Sequence, residues 1–168
     1  MKFNRSFPSL MALALIAVAL PFSACSKKPS ADDATAPAIN APSTDDNALG
    51  DSDSGKAGGL QTIHFGYDSF VLDAAAKDQI KANAQLMKDK ASVKVQIEGH
   101  CDQRGGTQYN IALGEKRANA VRKFMIDLGV PADRLTTISY GDEKPLDARE
   151  TEEAYAKNRR ANFVITAR

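Results

Sequence analysis

Between Ser92 and Glu98 the chain alternates without a break, with Val93, Val95 and Ile97 apolar and Lys94, Gln96 and Glu98 polar. A period of two marks a half-buried strand. The same alternation runs more briefly over Thr62-Ile63-His64-Phe65, followed by a loop at Gly66-Tyr67-Asp68-Ser69. From Asp73 to Lys90 the apolar positions Ala76, Ile80, Ala84 and Met87 fall close to helical spacing. A polar loop, Gly99 to Gly106, leads into a second helical stripe of Ile111, Gly114, Ala118, Val121, Met125 and Leu128. Thr107 is the candidate N-cap of that helix, and Gly129 and Pro131 stop it. Gly114 and Ala118 are small enough to let the helix approach a sheet closely. Asn110, Leu113 and Arg117, at i, i+3 and i+7, line the helix edge that faces the polar loop. Leu135 to Tyr140 reads as a third strand and Thr151 to Lys157 as a short helix. Asn162 to Thr166 is a last strand, apolar on both faces at Phe163, Val164 and Ile165, which suits a central position. The order β-α-β-α-β-β predicts an α/β fold, an α+β sandwich with helices packed on a sheet.

The segments before Gln61 follow different rules. Lys2 and Arg5 precede an apolar run from Leu10 to Leu20, too short to span a bilayer, so residues 1–24 read as an export signal. Pro21-Phe22-Ser23-Ala24-Cys25 resembles a bacterial lipobox, with Phe22 where Leu is usual, and makes Cys25 the candidate lipidated residue. The alternative is an ordinary signal peptide cut near Ala24, with Cys25 a free thiol. In enterobacterial lipoproteins an Asp after the cysteine resembles an inner-membrane retention signal, so Ser26 points to the outer membrane. Residues 26–60 are rich in Ala, Pro, Ser, Asp and Gly and poor in large apolar side chains. Such a stretch buries too little surface to offset its ordering entropy and reads as a disordered linker. It would average roughly 30–35 Å end to end and reach about 120 Å when stretched, the scale of a tether or a passive spacer. The folded domain is therefore expected over 61–168.

The 168 residues and net charge of +1 suit one modest domain plus additional sequence. No basic stripe marks nucleic acid as a partner. The two cysteines, Cys25 and Cys101, would permit one disulfide, but lipid on Cys25 leaves Cys101 as a lone thiol.

Glu98 to Arg117, EGHCDQRGGTQYNIALGEKR, carries the candidate chemistry. Gly99, Gly105 and Gly106 allow tight turns that present the carboxylate of Asp102. Arg117 lies near the start of a helix, where a cation gains nothing from the macrodipole and, with nearby N–H groups, completes a carboxylate site. Together they can hold opposite ends of a small zwitterion. His100, Cys101 and Asp102 are a poor zinc set, since neighbours in sequence do not converge and His64 lies on another strand. Adjacent His100 and Cys101 point to different sides of the chain, which argues against a Cys-His hydrolase. No cofactor or metal site emerges.

The same stretch resembles the signature of the OmpA-like peptidoglycan-binding domain family, and RGG-TQYNIALGEKRA is similar to the version in its outer-membrane lipoproteins. The resemblance covers about the last two-thirds of the chain. It implies a mixed four-stranded sheet whose last strand is antiparallel and interior. It implies that Asp102 and Arg117 bind the diaminopimelate of the peptidoglycan stem peptide, with Cys101 standing where the family often has Thr. Tyr67, Asp68, Arg104 and Leu113 match further ligand contacts; Arg104 could instead be an ordinary loop charge. Asn158-Arg159-Arg160 matches a recurrent run that either pairs with nearby carboxylates or touches ligand, the first being preferred. The implied role is a non-enzymatic tether, lipid-anchored in the outer membrane, its domain facing the periplasm and binding the cell wall. A further implied partner is the periplasmic propeller protein of the Tol system, acting in envelope constriction at division. A wall-cleaving amidase or peptidase would need a metal set or triad, and a stator-type protein a membrane-crossing helix.

Overall fold

The computed structural model describes residues 49–168. The export signal, Cys25 and the linker up to residue 48 lie outside the described residues. The elements follow the expected order: β1 Ile63–His64, α1 Ala74–Asp89, β2 Lys94–His100, α2 Thr107–Asp127, β3 Leu135–Gly141, α3 Glu152–Asn158 and β4 Arg160–Ala167, with a 3-10 turn at Ala132–Arg134. They form one mixed sheet in the order β1-β4-β2-β3. β2 and β3 are parallel, and β4 runs antiparallel to both β1 and β2. The last strand is thus interior, as its double-sided apolarity requires, and it is buried from Arg160 to Ile165.

α1 begins where Asp73 accepts a 2.7 Å hydrogen bond from the Ala76 N–H, satisfying one orphan donor of the first turn. Its buried face is the expected stripe of Ala76, Ile80, Ala84 and Met87, joined by Asn83. Asn83 is no packing residue: its amide accepts from the Gln61 N–H at 2.8 Å and donates to the Gln61 carbonyl at 2.7 Å, clamping the helix to the start of β1. α2 opens without the expected side-chain cap. Its N-cap is Gly106, whose carbonyl accepts the Asn110 N–H, and Thr107 is already helical. The close approach expected at Gly114 is present. A Cβ on Gly99 would sit 1.9 Å from the Gly114 carbonyl oxygen, and one on Gly114 would sit 2.3 Å from the Ser139 hydroxyl. Both positions must be glycine for α2 to lie against β2 and β3 at this depth. The apolar core fills the space between the helices and one sheet face, around Ile63, Ile97, Val121, Met125, Phe163 and Ile165.

Two expectations need correction. Glu98, read as one of the polar positions of a half-buried strand, is itself buried and accepts a 3.0 Å hydrogen bond from Asn162. The other sheet face is thus partly covered, and polar. The domain also begins before Gln61. Leu49 donates to the Ile165 carbonyl, Ile165 to that of Gly50, and Ser52 to that of Phe163, each at 2.9 Å, so this strap runs beside β4. Ala57 and Leu60 enter the core, and Asp53 holds buried Arg160 at 2.7 Å. The strap was invisible in composition because backbone pairing and polar contacts of Ser52 and Asp53 hold most of it, and only Ala57 and Leu60 add apolar burial. Among the described residues no helix is long and apolar enough to cross a membrane.

Candidate functional site

The pocket forms where three pieces of chain meet: the loop after β1, the loop leaving β2, and the first turns of α2. All six residues singled out for ligand contact, Tyr67, Asp68, Asp102, Arg104, Leu113 and Arg117, line one cavity of about 150 Å³. Cys101, Gly105, Tyr109 and Asn110 complete its wall. Whole-ligand pockets run to roughly 300–1,000 Å³, so this one suits the end of a side chain.

Asp102 is only 4% exposed. Its carboxylate takes the Arg104 Nη2 at 2.6 Å, the Arg104 Nε at 3.3 Å and the Arg104 backbone N–H at 3.1 Å. Arg159 Nη1 adds a fourth donor at 3.1 Å. Burial alone would raise the pKa of Asp102, but the bonds from Arg104 and Arg159 outweigh it and the net shift is downward. The group is a carboxylate at neutral pH. Gly105 turns the loop back at φ +100°, a left-handed conformation that glycine adopts without strain. Asn110 of α2 then ties the loop down by donating to the Arg104 carbonyl at 3.2 Å.

Arg117 departs most from expectation. It lies nearly three turns into α2, beyond the reach of the macrodipole, and is 1% exposed. Its Nε donates to the Ser69 carbonyl at 2.8 Å, its Nη1 to the His100 carbonyl at 2.8 Å and its Nη2 to the Gly66 carbonyl at 3.1 Å. A further Nη1 contact reaches the Cys101 sulfur at 3.4 Å. Of the five N–H groups of a guanidinium, one on Nη2 is left over. Arg117 is therefore a hub that fastens the loop after β1 to the end of β2, offering a ligand its field and a single donor rather than a fork. Desolvation lowers its pKa, yet an arginine stays charged.

Arg104 resolves the other way. Its guanidinium carbon lies over two rings, 4.1 Å from the Tyr67 centroid and 4.4 Å from that of Tyr155. Its Nη1 reaches Glu152 at 3.3 Å, and Glu152 also pairs with Arg159 at 2.9 Å. Arg104 is thus no stray loop charge. Arg159 pairs with carboxylates, the preferred of the two readings. On the opposite wall Tyr109 donates its hydroxyl to Asp68, which stands at a left-handed φ of +48°. That bond raises the tyrosine's pKa. The Cys101 thiol donates to the Asn110 carbonyl at 3.2 Å, and burial pushes its pKa up to about 11. It is a protonated wall group. The His100 ring turns the other way, stacked on Tyr140 at 5.7 Å and 3.5 Å from Glu98, too far for a full hydrogen bond.

Sequence reasoning missed Tyr109, Glu152 and Tyr155. Tyr109 was findable, since it stands at i−4 from Leu113 on the helix edge facing the loop. Nothing in the sequence joins α3 to the pocket; only the sheet order does.

Fold and pocket together define an α/β binding module with three carboxylates, Asp68, Asp102 and Glu152, and three guanidiniums, Arg104, Arg117 and Arg159, gathered at one end of its sheet. The chain belongs to the OmpA family, which it matches over residues 64–159. It is 32% identical to the peptidoglycan-associated lipoprotein of Legionella pneumophila, across 91% of this chain and 93% of that protein. The peptidoglycan-associated lipoprotein of Haemophilus influenzae is 42% identical over 100 residues, 60% of this chain and 65% of its own length. In that comparison the chain spans slightly less than two thirds of its relative. The crystal structure of the peptidoglycan-associated lipoprotein from Burkholderia pseudomallei superposes with a TM-score of 0.60 at 36% identity, covering 62% of this chain and 88% of that one. The C-terminal domain of Helicobacter pylori MotB, at 24% identity and a TM-score of 0.58, shares the fold.

Proposed function

We propose that this protein is a lipid-anchored outer-membrane protein whose domain binds the cell wall without cleaving it, by holding the diaminopimelate of the peptidoglycan stem peptide. Cys25 carries the anchor, the segment after it is the tether, and the domain faces the periplasm. The observation that carries the wall-binding reading is the convergence of Tyr67, Asp68, Asp102, Arg104, Leu113 and Arg117 on one small mixed-charge cavity. The far end of diaminopimelate bears an ammonium and a carboxylate. Asp102 and Asp68 suit the first. Arg104 and the spare N–H of Arg117 suit the second, and Leu113 meets the methylenes. The relatives named peptidoglycan-associated lipoproteins support the same reading. Partnership with the propeller protein of the Tol system, and a part in division, extend it.

Calorimetry with three stem peptides tests it, one bearing diaminopimelate, one lysine, and one diaminopimelate with the side-chain carboxylate amidated. Hydrogen bonds to charged groups contribute roughly 1.5–3 kcal/mol, so the first peptide should bind more than tenfold tighter than the other two. Asp102→Asn should weaken retention on purified sacculi. Equal affinity for all three peptides would refute the assignment.

A further inference from the structure

We propose that Tyr155, on α3, is a positioning residue that holds Arg104 flat across the pocket mouth and thereby sets the preference for a ligand carboxylate; this rests on the wall-binding reading above. The donor count leads to it. Arg104 uses Nε and one N–H of Nη2 on Asp102, and its Nη1 forms an ion pair with Glu152 at 3.3 Å. One N–H remains on each terminal nitrogen, the pair that can grip a carboxylate two-pronged. Arg117 spends three of its donors on backbone carbonyls and a fourth on the Cys101 sulfur. Two-pronged recognition therefore falls to Arg104, and its quality depends on how firmly the guanidinium plane is kept.

Asp102 and Glu152 fix the plane at its edges, but neither prevents rotation out of it. The two rings do. The guanidinium carbon lies over the Tyr67 ring at 4.1 Å from its centroid and over the Tyr155 ring at 4.4 Å. They are not equivalent supports. Tyr67 sits on an exposed loop and is 63% exposed, whereas Tyr155 is half-buried on a helix next to the fully buried Ala154. Tyr155 is the fixed wall, and the neighbouring turn of α3 supplies Glu152. A segment remote in sequence from the loop thus governs the geometry of its one available fork.

The test compares Tyr155→Leu and Tyr155→Phe with wild type in the full chain, using the diaminopimelate peptide and its side-chain amide as probes. Leucine removes one cation–π face, about 1 kcal/mol or roughly fivefold, and should do so only for the peptide with the free carboxylate. Phenylalanine keeps the ring and should restore wild-type discrimination. In the ligand-free protein the Arg104 Nε–H resonance should be ring-current shifted alike in wild type and Tyr155→Phe, and should change position in Tyr155→Leu, where the Tyr67 ring alone remains. Equal weakening toward both peptides, or an unchanged ratio, would overturn the proposal while leaving the wall-binding reading intact. So would a Phe variant that behaves like Leu, or an unshifted wild-type resonance. A wild type that binds neither peptide would remove the reading and the specificity role with it.

Discussion

Arg117→Ala should destabilise the domain as well as weaken binding, and the structure sets the size. The guanidinium is 1% exposed and donates to the carbonyls of Ser69, His100 and Gly66. Alanine leaves these three acceptors facing a hole. A buried acceptor without a partner costs about 1–3 kcal/mol. Removing the buried cation returns part of this, because its own desolvation cost disappears as well. A net loss of about 3–5 kcal/mol follows, in the range seen when one member of a buried polar network is removed. For a domain of this size each kcal/mol lowers Tm by about 4 °C, so the variant should melt about 12–20 °C lower. Arg117→Lys keeps a charge and one reach and should fall between. The assay is thermal unfolding followed by circular dichroism, with sacculus binding measured well below the lower Tm. A variant that melts within about 3 °C of wild type would refute the hub. The consequence for binding work is direct: loss of affinity in Arg117→Ala reports loop order together with ligand contact, and Asp102→Asn, which removes the buried charge that holds Arg104 and Arg159, needs the same Tm control.

Burial lowers the His100 pKa below the ordinary 6.5, the attraction of Glu98 offsetting only part of it. The unfolded chain then binds a proton more readily as pH falls through that value, so stability is full above about pH 6.5 and declines below it. Tm should drop between pH 7.5 and 5.5 in wild type, and His100→Gln should flatten the slope; a Tm that rises on acidification contradicts this. With its pKa near 11 and its sulfur buried, Cys101 should resist iodoacetamide at pH 8 in a fragment beginning at Leu49, and react fully once unfolded. Rapid native labelling would mean that the pocket wall opens. A fragment beginning at Gln61 strips Asp53 from Arg160 and uncovers the edge of β4, so it should melt about 10 °C below one beginning at Leu49. Equal melting would show the strap to be dispensable.

Local periodicity by itself determined the elements: the alternation of Val93, Val95 and Ile97, the stripe from Gly114 to Met125, and the double-sided apolarity of Phe163 to Ile165 each encode an orientation relative to the core. The Glu98 to Arg117 stretch likewise placed Asp102, Leu113 and Arg117 beside one another, because a strand end, a turn and a helix start are continuous in the chain. What Arg117 does was not legible there. A guanidinium serving a ligand and one serving three backbone carbonyls look the same in sequence, and only the packing of the loop after β1 against the end of β2 decided between them. The strap from Leu49 was hidden for a related reason, since backbone pairing carries no side-chain signature, and its polar contacts join Ser52 to Asn162 and Asp53 to Arg160, positions far apart in the chain. The clamp on Arg104 belongs wholly to tertiary structure. Tyr155 and Glu152 reach the pocket because β4, laid antiparallel beside β2, brings α3 next to the loop that carries Asp102, a proximity created by strand order rather than by any local pattern.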